Sequence, residues 1–510
     1  MKVCAVLIDS VSIQKYVFGS NKLKENLGAS YLVQEIYSSL LSKAVSGIFP
    51  DLKFDINDWK DIQNQPFEVG YIGGGNALLF FKEENKAKEF IKEWTKLLLL
   101  ETPGIKTAVA YKEFVLEKFK DSLQELFKLL RNNKAKYIPQ TVLPRHGITA
   151  ECSRSGYSME VWNHGEEKYI SSVTNAKIEG SVMAKKELLN EFKDLLGEDF
   201  TFTDDLEELG QIKEQDSHIA IVHIDGNGMG KRFQACNSLE EIRRLSLSVN
   251  KATKNAFREL LGEIISDFHN IDSEVAISKR DNKTILPIRP IILGGDDITF
   301  VSDGKLGIYF AKLFMEAFEK EEASDNKPLS SCAGIAITKT KFPFYRGYEL
   351  AEQLCSNAKK KRHNEKDDGS WLDFHMAYGG FSGTLKEIRD SHYKSDRGDL
   401  LFRPYRLHTK EEYDFDSLIN NTAKLKKFPR LKIKELREVL TEGEESARKF
   451  VIEQKYRERN LPDFSGRNDK FSLYISSKGE KNKEIMKTPY FDMIEIMEFY
   501  PSFLLKERKA

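Results

Sequence analysis

The chain has 510 residues, and its 79 basic and 79 acidic side chains give a formal net charge of zero. This length predicts two to four domains, and the charge balance excludes a uniformly basic nucleic-acid surface, although it leaves a local basic patch open. Five cysteines without a Cys-x-x-Cys pair argue against a disulfide framework or a cysteine-only zinc site. No apolar run approaches the roughly 20 residues of a membrane-spanning helix, so we expect a soluble, cytoplasmic protein without a membrane contact.

Residues 1–118 alternate short apolar runs with helical patterns. Val3 to Ile8 predicts a buried strand that ends at Asp9, and the helical spacing that starts near Lys22 is closed by Gly47. A strand, a glycine turn and a second strand follow over Phe67 to Phe81, and then come a further helix and strand. The predicted order is therefore strand, helix, hairpin, helix, strand.

The next segment, residues 119–215, has a different pattern and is predicted to be a linker domain. An amphipathic helical spacing runs from Leu116 to Asn132. The stretch from Leu143 to Gly180 is rich in turn residues and holds Cys152, and an acidic helical pattern runs from Glu187 to Leu209.

The order of the first segment occurs again in residues 216–410. An apolar strand over His218 to Ile224 ends at Asp225, and a long helix over Ser238 to Phe268 precedes a second hairpin, a helix and a strand. Ser30 and Ser246 follow the acids of their own segments at the same offset in the sequence. We interpret the two segments as copies of a β-α-β-β-α-β unit of the ferredoxin-like kind.

The hairpins of the two copies differ at their tips. The second hairpin carries Gly294-Gly295-Asp296-Asp297, where the first has Gly73-Gly74-Gly75-Asn76. The two tips follow Asp9 and Asp225 at similar offsets, so they occupy corresponding places in the two copies. We therefore predict one active copy and one degenerate copy.

The C-terminal segment, residues 411–510, is predicted to be a helical domain. Its helical pattern over Asp416 to Arg459 contains a basic cluster: Lys424, Lys426, Lys427, Arg430, Lys432 and Lys434. The cluster favours a solvated helical face over a contact with RNA or a protein partner. The predicted fold class is thus α+β, with two ferredoxin-like palm domains, a linker domain and a C-terminal helical domain.

The acids at the second hairpin predict a catalytic metal site. In a ferredoxin-like unit the end of the first strand and the tip of the hairpin are neighbours, so Asp225 and Asp296 would face each other across a short gap, with Asp297 close by. Three carboxylates, with Gly226 supplying a backbone ligand, suit two Mg²⁺ or Mn²⁺ ions. Such ions lower the pKa of a ribose hydroxyl and neutralise a leaving pyrophosphate, and this chemistry needs no protein nucleophile.

Further residues are predicted to contact a nucleotide. The loop of Gly226, Asn227 and Gly228, together with Gly294 and Gly295, offers backbone N–H groups to phosphates. Lys359 and Lys360, near the end of a helix, could grip the β- and γ-phosphates. The matching offsets of Ser30 and Ser246 make their hydroxyls candidates for base contacts.

At this point the chain resembles a known family, the large polymerase/cyclase subunit of type III CRISPR effector complexes, with two palms and one GGDD motif. The residues that carry the resemblance are IDSVSIQKYVFGSNKLKENLGASYL, GYIGGGN, HIDGNGMGKRF, ILGGDDITFV and AGIAITKTKFPFYRGYELAEQLCSNAKK, and LFRPYRL at Leu401 to Leu407 is also similar. The match as a whole covers most of residues 1 to 410 in the right order. The order of two palms with a single GGDD is specific, whereas GGDD alone is not.

The resemblance implies a function and a set of roles. Asp225, Asp296 and Asp297 become metal ligands, Lys359 becomes a phosphate contact, and Ser30 and Ser246 become adenine contacts. The implied reaction is the formation of a cyclic oligoadenylate second messenger from ATP, in antiviral defence, when an effector complex with guide RNA binds target RNA. The family's frequent HD nuclease domain and four-cysteine zinc ribbon have no counterpart here, so we expect no such nuclease and a ribbon remnant without metal around Cys152.

Two alternatives remain open at the sequence level. One is a non-catalytic RNA-binding or nucleotide-sensing scaffold subunit of a CRISPR effector complex, and the other is a polymerase acting on nucleic acid. A minimal version working alone or as a homo-oligomer is also compatible with the sequence. The sequence leaves open the base preference, ring size, linkage, activator and downstream effector.

Overall fold

A computed structural model describes residues 1–52, 62–136, 142, 146–209, 217–378, 383–409, 414–464, 469, 471–478 and 484–506. The predicted domain boundaries at 215/216 and 410/411, and most of the polar stretch at 51–65, lie outside the described residues. The architecture is mixed α+β and contains several sheets, as predicted.

The N-terminal half is built on a four-stranded antiparallel sheet. Its strands are β1 (Lys2–Val11), β2 (Phe67–Gly73), β3 (Asn76–Phe81) and β4 (Lys106–Val115). They lie in the order β2-β3-β1-β4, which is the order of a ferredoxin-like unit. Its helices are α1 (Ile13–Phe18), α2 (Leu23–Glu35), α3 (Ser39–Ile48), α4 (Glu84–Glu101) and α5 (Phe119–Lys134).

The central part of strand β1, Val3 to Ile8, is apolar because both of its faces are buried. Val6 and Ile8 point to a core shared with α3 and α4, whereas Ala5 and Leu7 belong to the large core that joins the two halves. This two-sided burial explains why the sequence shows a continuous apolar run instead of an alternation. The predicted single helix from Lys22 to Gly47 is wrong in one respect, because α2 ends at Glu35 and α3 begins at Ser39.

The middle segment differs most from its prediction. It contains β5 (Val161–Asn163), β6 (Lys168–Ile170), α6 (Ser172–Glu191), α7 (Lys193–Leu196) and β7 (Phe200–Thr201). The helix predicted over Glu187 to Leu209 was wrong, because the long helix starts at the N-cap Ser171 and its side chain accepts from the Thr174 backbone N–H. Helix α6 lies against α2 so closely that a Cβ on Gly28 would be 1.7 Å from the Lys177 carbonyl oxygen.

The C-terminal half repeats the first topology on a larger sheet. Its elements up to residue 406 are β8 (His218–Gly226), α8 (Met229–Ala235), α9 (Leu239–Ser266), α10 (Phe268–Asp272), β9 (Lys279–Arg280), β10 (Lys283–Ile285), β11 (Ile288–Gly294), β12 (Asp297–Asp303), α11 (Gly307–Lys320), β13 (Ser331–Lys339), α12 (Phe344–Asn364), β14 (Trp371–Ala377), α13 (Leu385–His392) and β15 (Tyr405–Arg406). The six-stranded sheet has the order β11-β12-β8-β13-β14-β15, and a small sheet has the order β7-β10-β9. The first four strands of the large sheet match the N-terminal sheet one for one, which confirms the predicted duplication of the fold.

The C-terminal segment is helical with one addition. It contains α14 (Phe415–Leu425), α15 (Arg430–Glu442), α16 (Glu444–Tyr456), β16 (Ile475–Lys478), β17 (Glu484–Lys487) and α17 (Tyr490–Glu498). The hairpin of β16 and β17 was not predicted. Among the described residues, no helix combines the length and the apolar character needed to span a bilayer.

The packing of α12 on β13 predicts a costly substitution at Gly334. A Cβ there would lie 2.0 Å from the Ala351 carbonyl oxygen and 2.3 Å from the Cys355 nitrogen, both in the α12 backbone. We expect Gly334→Ala to lower the free energy of unfolding by about 3 kcal/mol in urea titrations, because the helix must move outward. Gly262→Ala in α9, where an added Cβ meets nothing within 4 Å, is the matched control and should not destabilise. Equal midpoints for the two variants would contradict this account.

Candidate active site

The structure brings the three predicted acids together at one end of the second sheet. Asp225 is the last residue but one of β8, Asp297 begins β12, and the two are direct partners in the antiparallel ladder. Partners in such a ladder place their side chains on the same face of the sheet. Asp296 lies on the turn between them, and its carbonyl oxygen accepts the Gly226 N–H at 2.9 Å.

Two of the predicted glycines are required by this geometry. Gly295 has a φ of +60°, which ordinary residues adopt at a cost. A Cβ on Gly226 would lie 2.8 Å from the Asp296 Cβ, so only glycine lets β8 and the turn approach this closely. An added Cβ on Gly294 would meet nothing within 4 Å, so space is left beside the turn there.

The acids stand in a strongly unfavourable environment for negative charge. Burial raises the pKa of Asp296. Burial, Asp296 and Glu352 together raise the pKa of Asp297 to about 7. Lys359 on α12 forms an ion pair with Asp225, and burial and the nearby Arg362 lower the pKa of Lys359 to about 8. The site therefore contains excess negative charge that one lysine balances only in part.

The donor set fits a divalent cation, although the side chains are not arranged around one. Within the described ranges, no group of three or more His, Cys, Asp or Glu side chains is positioned to hold a metal ion. Asp225 is engaged by Lys359 instead. Asp297 Oδ1, however, is buried and has no hydrogen-bond partner in the described part of the chain. An unpartnered carboxylate oxygen beside further carboxylates is the ligand type that Mg²⁺ prefers.

His223, which lies close to Asp297, does not form a hydrogen bond with Asp297 Oδ1. His223 Nδ1 lies 3.4 Å from Asp297 Oδ1 and 3.2 Å from Thr299 Oγ1. Burial and the charge of Lys359 lower the pKa of His223 to about 4, so the imidazole is neutral near pH 7. The charge of Asp297 is therefore left for a cation from outside the protein.

The first palm has the same frame without the tip carboxylates. Asp9 pairs in register with Asn76, as Asp225 does with Asp297. The Ser10 N–H donates to the Gly75 carbonyl oxygen at 3.0 Å, which repeats the bond between Gly226 and Asp296. The acid of this copy is also held by a lysine, because Lys134 forms an ion pair with Asp9.

The two hairpin tips meet and border a large cavity. A Cβ on Gly295 would lie 3.6 Å from the Gly74 nitrogen. The cavity beside the tips has a volume of about 520 Å³ and is lined by Gly74, Ser246, Asp296 and side chains of α5 and α8. This volume is within the usual range for a small-molecule site.

The predicted serines lie in two different cavities. Ser246 lines the large one, but its hydroxyl donates to the Ile72 carbonyl oxygen at 3.1 Å. Ser30 lines a smaller cavity of about 140 Å³ between α2, α6 and β11. The structure thus places each serine at the junction of one palm's helix with the other palm's hairpin, and it does not bring the two serines together.

The remaining predicted residues are placed as follows. The Asn227 side chain is buried and is used internally, since it donates to Ser330 Oγ at 3.1 Å and accepts from Cys332 Sγ at 3.2 Å. Gly228 has a φ of +71° at the start of α8. Lys360 is exposed on α12, next to Lys359. The Asn227 N–H is also used internally, because it donates to the Ser330 carbonyl oxygen at 2.8 Å. The structure therefore does not leave the side chain or the N–H of Asn227 free for the predicted phosphate contact.

Sequence reasoning missed the residues that hold the two tips in place. Buried Thr253 on α9 donates from Oγ1 to the Gly295 carbonyl oxygen at 2.5 Å. In the first palm, Tyr37 donates to the Gly75 carbonyl oxygen in the same manner. The two residues follow the acids of their own copies at the same offset in the sequence. Comparison of the two copies at this offset could have found them, although one residue is a threonine and the other a tyrosine.

Thr253 is predicted to be a positioning residue for the tip. Thr253→Val keeps the shape of the side chain and removes the donor to Gly295, so the acids that follow lose their fixed position. We expect the rate constant of nucleotide joining to fall about 10- to 100-fold with little change in KM, since roughly 0.5–1.5 kcal/mol for the hydrogen bond understates the effect of misplacement. Thr253→Ser, which retains the hydroxyl, should recover most of the rate. A Val variant that turns over like the parent would exclude this role.

Comparisons with known proteins agree with the geometry. Residues 218–368 match the family model described as Cas10/Cmr2, second palm domain. No curated protein gives a significant match to the sequence. The crystal structure of a Csm1-Csm4 cassette in complex with pppApApA aligns with 99% of this chain and 70% of that chain, at 13% identity and a TM-score of 0.54.

Two further structures have the same description apart from the ligand. The cassette in complex with pppApA aligns with 97% of this chain and 69% of that chain, at 12% identity and a TM-score of 0.51. The cassette in complex with cA4 aligns over 71% of this chain at 14% identity and a TM-score of 0.45, and there the chain spans only 53% of that chain's length. At such low identities the likeness shows the fold alone.

Proposed function

Since residues 218–368 match the family model described as Cas10/Cmr2, second palm domain, we propose that this chain is a Mg²⁺-dependent nucleotidyl cyclase. It joins ATP into a cyclic oligoadenylate-type second messenger in CRISPR-type antiviral defence. The observation that carries the proposal is the register pair of Asp225 and Asp297, with Asp296 on the adjoining turn and a cavity of about 520 Å³ beside it.

The proposed reaction uses the two palms unequally. The 3′ hydroxyl of one nucleotide, held on the first palm, attacks the α-phosphorus of another at the second palm, and pyrophosphate leaves. Asp225, Asp296, Asp297 and the Gly226 backbone would hold two Mg²⁺ ions. When bound, these ions would activate the hydroxyl and neutralise the pyrophosphate.

Lys359 has a distinct task in this proposal. Its ammonium group now balances Asp225. A cation at the acids removes the need for that ion pair, and Lys359 then becomes available to the β- and γ-phosphates. The contact between the two hairpin tips supports the approach of the hydroxyl on one palm to the phosphate on the other.

Solved relatives guide the choice of substrate and partners. The matched structures are described as complexes of a Csm1-Csm4 cassette with pppApA and pppApApA. For this chain we accordingly propose ATP as substrate and other effector-complex subunits, with guide and target RNA, as partners.

One observation favours a second candidate function. The carboxylate of Asp225 is already paired with Lys359, and the three acids do not form a ready metal cluster within the described ranges. A non-catalytic subunit that senses nucleotide or binds RNA would be compatible with this pairing. The two candidates differ in whether nucleotides are joined.

A product analysis tests the proposal. Purified protein is incubated with labelled ATP, GTP, CTP and UTP, singly and mixed, with Mg²⁺ or Mn²⁺ and with or without RNA. Mass spectrometry should identify a cyclic product that requires the metal. A linear ladder extending added RNA would instead indicate a polymerase, and nucleotide binding without any product would indicate the sensor.

A further inference from the structure

Helix α5 presents one face to the large cavity. Five of its residues line the cavity, and one of them is the buried Leu123. The other four are Lys120, Gln124, Phe127 and Arg131, and their spacing of four, three and four residues places them on the same side of a helix. Across the cavity from this face lie Phe233 and Gln234 of α8. The helix follows the last strand of the first palm and lies outside residues 218–368.

Most polar side chains elsewhere on α5 are used within the protein. Glu125 forms an ion pair with Lys112, Lys134 does so with Asp9, and the Asn133 amide donates to the Val109 carbonyl oxygen at 2.9 Å. By contrast, Lys120, Gln124 and Arg131 make no side-chain hydrogen bond or ion pair with the described residues. Two cations and an amide are thus left facing the cavity.

The internal repeat shows that this face is specific to one half. Lys134 of α5 and Lys359 of α12 hold equivalent acids, so the two helices can be aligned on these lysines. In this alignment Lys120, Gln124, Phe127 and Arg131 of α5 correspond, in that order, to four residues of α12: Tyr345, Glu349, Glu352 and Ser356. One face therefore carries two positive charges where its repeat carries two negative charges. Only the α5 face favours an anionic ligand.

The direction of α5 determines which of its cavity-lining residues lies near Asp296 and which lies far from it. Lys134 contacts Asp9 beside the hairpin tips, so Arg131, one turn earlier, is at the end of the cavity near Asp296. Lys120 lies three helical turns before Arg131, about 16 Å away along the helix axis. Gln124 and Phe127 lie between these ends.

We infer that α5 is a nucleotide-binding wall for the nucleoside triphosphate that lies against Asp296. Arg131 contacts its phosphates, Phe127 packs on its base, and Gln124 forms hydrogen bonds with the base edge and contributes to base preference. The ligand class rests on the proposed function, whereas the assignment of the contacts to α5 rests on the cavity and on the repeat.

Direct binding by the full chain tests the inference without turnover. Calorimetry with α,β-methylene analogues of ATP and GTP, in the presence of Mg²⁺, compares the parent with Arg131→Met and Gln124→Leu. Lys128→Met is the matched control, because Lys128 is exposed on the same helix and does not line the cavity. We expect Arg131→Met to weaken binding of both analogues at least 10-fold and Lys128→Met to change it less than 2-fold. Gln124→Leu should reduce the ratio of the two affinities by 5-fold or more.

The outcomes separate the inference from the function on which it draws. One outcome is that the parent binds the analogues while both cavity variants have the parent's affinities and the parent's ratio between the ATP and GTP analogues. In that case α5 is not the nucleotide-binding wall, and the proposed function stands. If Lys128→Met weakens binding as much as Arg131→Met, general attraction by positive charge explains the effect and the inference is overturned. If the parent binds neither analogue, the proposed function fails and the inference fails with it.

Discussion

Changing Asp296 and Asp297 together to asparagine is expected to abolish nucleotide joining while leaving the fold as stable as before. The two carboxylates are adjacent, burial raises the pKa of both, and Asp296 further raises the pKa of Asp297. In the proposed function the two acids bind a metal ion, and stabilisation by such a cation contributes several kcal/mol to phosphoryl-transfer chemistry. Loss of about 4 kcal/mol corresponds to a rate reduction of roughly 10³-fold.

The stability of the same variant provides a readout that does not depend on turnover. Removing two repelling charges should leave the melting temperature unchanged or slightly higher without metal. With Mg²⁺ and a non-hydrolysable ATP analogue at about 100 times the dissociation constant, the parent should gain about 2.7 kcal/mol. The variant should gain almost nothing, because it has lost the metal ligands.

A matched control lies at the other end of the same strand. Asp303 ends β12 and is buried, and burial raises its pKa to about 6. Asp303→Asn makes the same chemical change on the same strand, far from the hairpin tip, so product formation should persist. Full activity in the Asp296→Asn/Asp297→Asn variant would refute the assignment of these acids, and equal losses in both variants would point to general damage.

The duplicated fold was predictable because the signals that define it are local. Continuous apolar runs ending in an acid, glycine turns and a helical spacing occur in the same order twice. The acids of the second copy could be placed together because a strand end and a hairpin tip are neighbours in this topology. The acids do lie at one end of the sheet, but the predicted pairing was wrong in detail, because Asp225 is in register with Asp297 and Asp296 lies on the turn before β12. The roles of these acids stay predictions.

The functional face of α5 could not be predicted in the same way. The spacing of apolar residues in α5 predicts an amphipathic helix, and sequence alone predicts that the polar side of such a helix faces solvent. Only the packing of the second half against the first converts Gln124 and Arg131 into cavity walls. The ion pair between Lys134 and Asp9 was equally hidden, because the two residues lie at opposite ends of the N-terminal half in sequence.

Buried charge is the other feature that composition conceals. Almost no surface is exposed on Arg403, Asp492 or Glu495. From sequence alone, charged residues are predicted to lie on the surface. Arg403 Nη2 lies 2.5 Å from Glu495 Oε2, and its guanidinium lies 4.4 Å from the centre of the Phe374 ring. This cluster joins α17 to the outer strands of the second palm.

Replacing Arg403 by methionine should therefore be among the most destabilising single changes in the chain. The Asp492 carboxylate would still accept from the backbone N–H groups of Phe402 and Arg403 and from the Tyr405 hydroxyl. Among the described residues, Glu495 would retain only the Tyr393 hydroxyl, at 3.1 Å, and would have no cation beside its buried charge. We expect a loss of about 3–5 kcal/mol in the free energy of unfolding, measured in urea.

The double variant Arg403→Met/Glu495→Met distinguishes an uncompensated charge from lost packing. Both methionines are apolar and of similar reach, so removing the acid together with its cation should restore most of the stability, with a coupling energy of several kcal/mol. Hydrogen exchange should show the single variant's defect as faster exchange in α17 and β15, while exchange in β1 of the first palm stays as in the parent. If the double variant is no more stable than the single one, the packing of the guanidinium on Phe374, and not the ion pair, holds α17 in place.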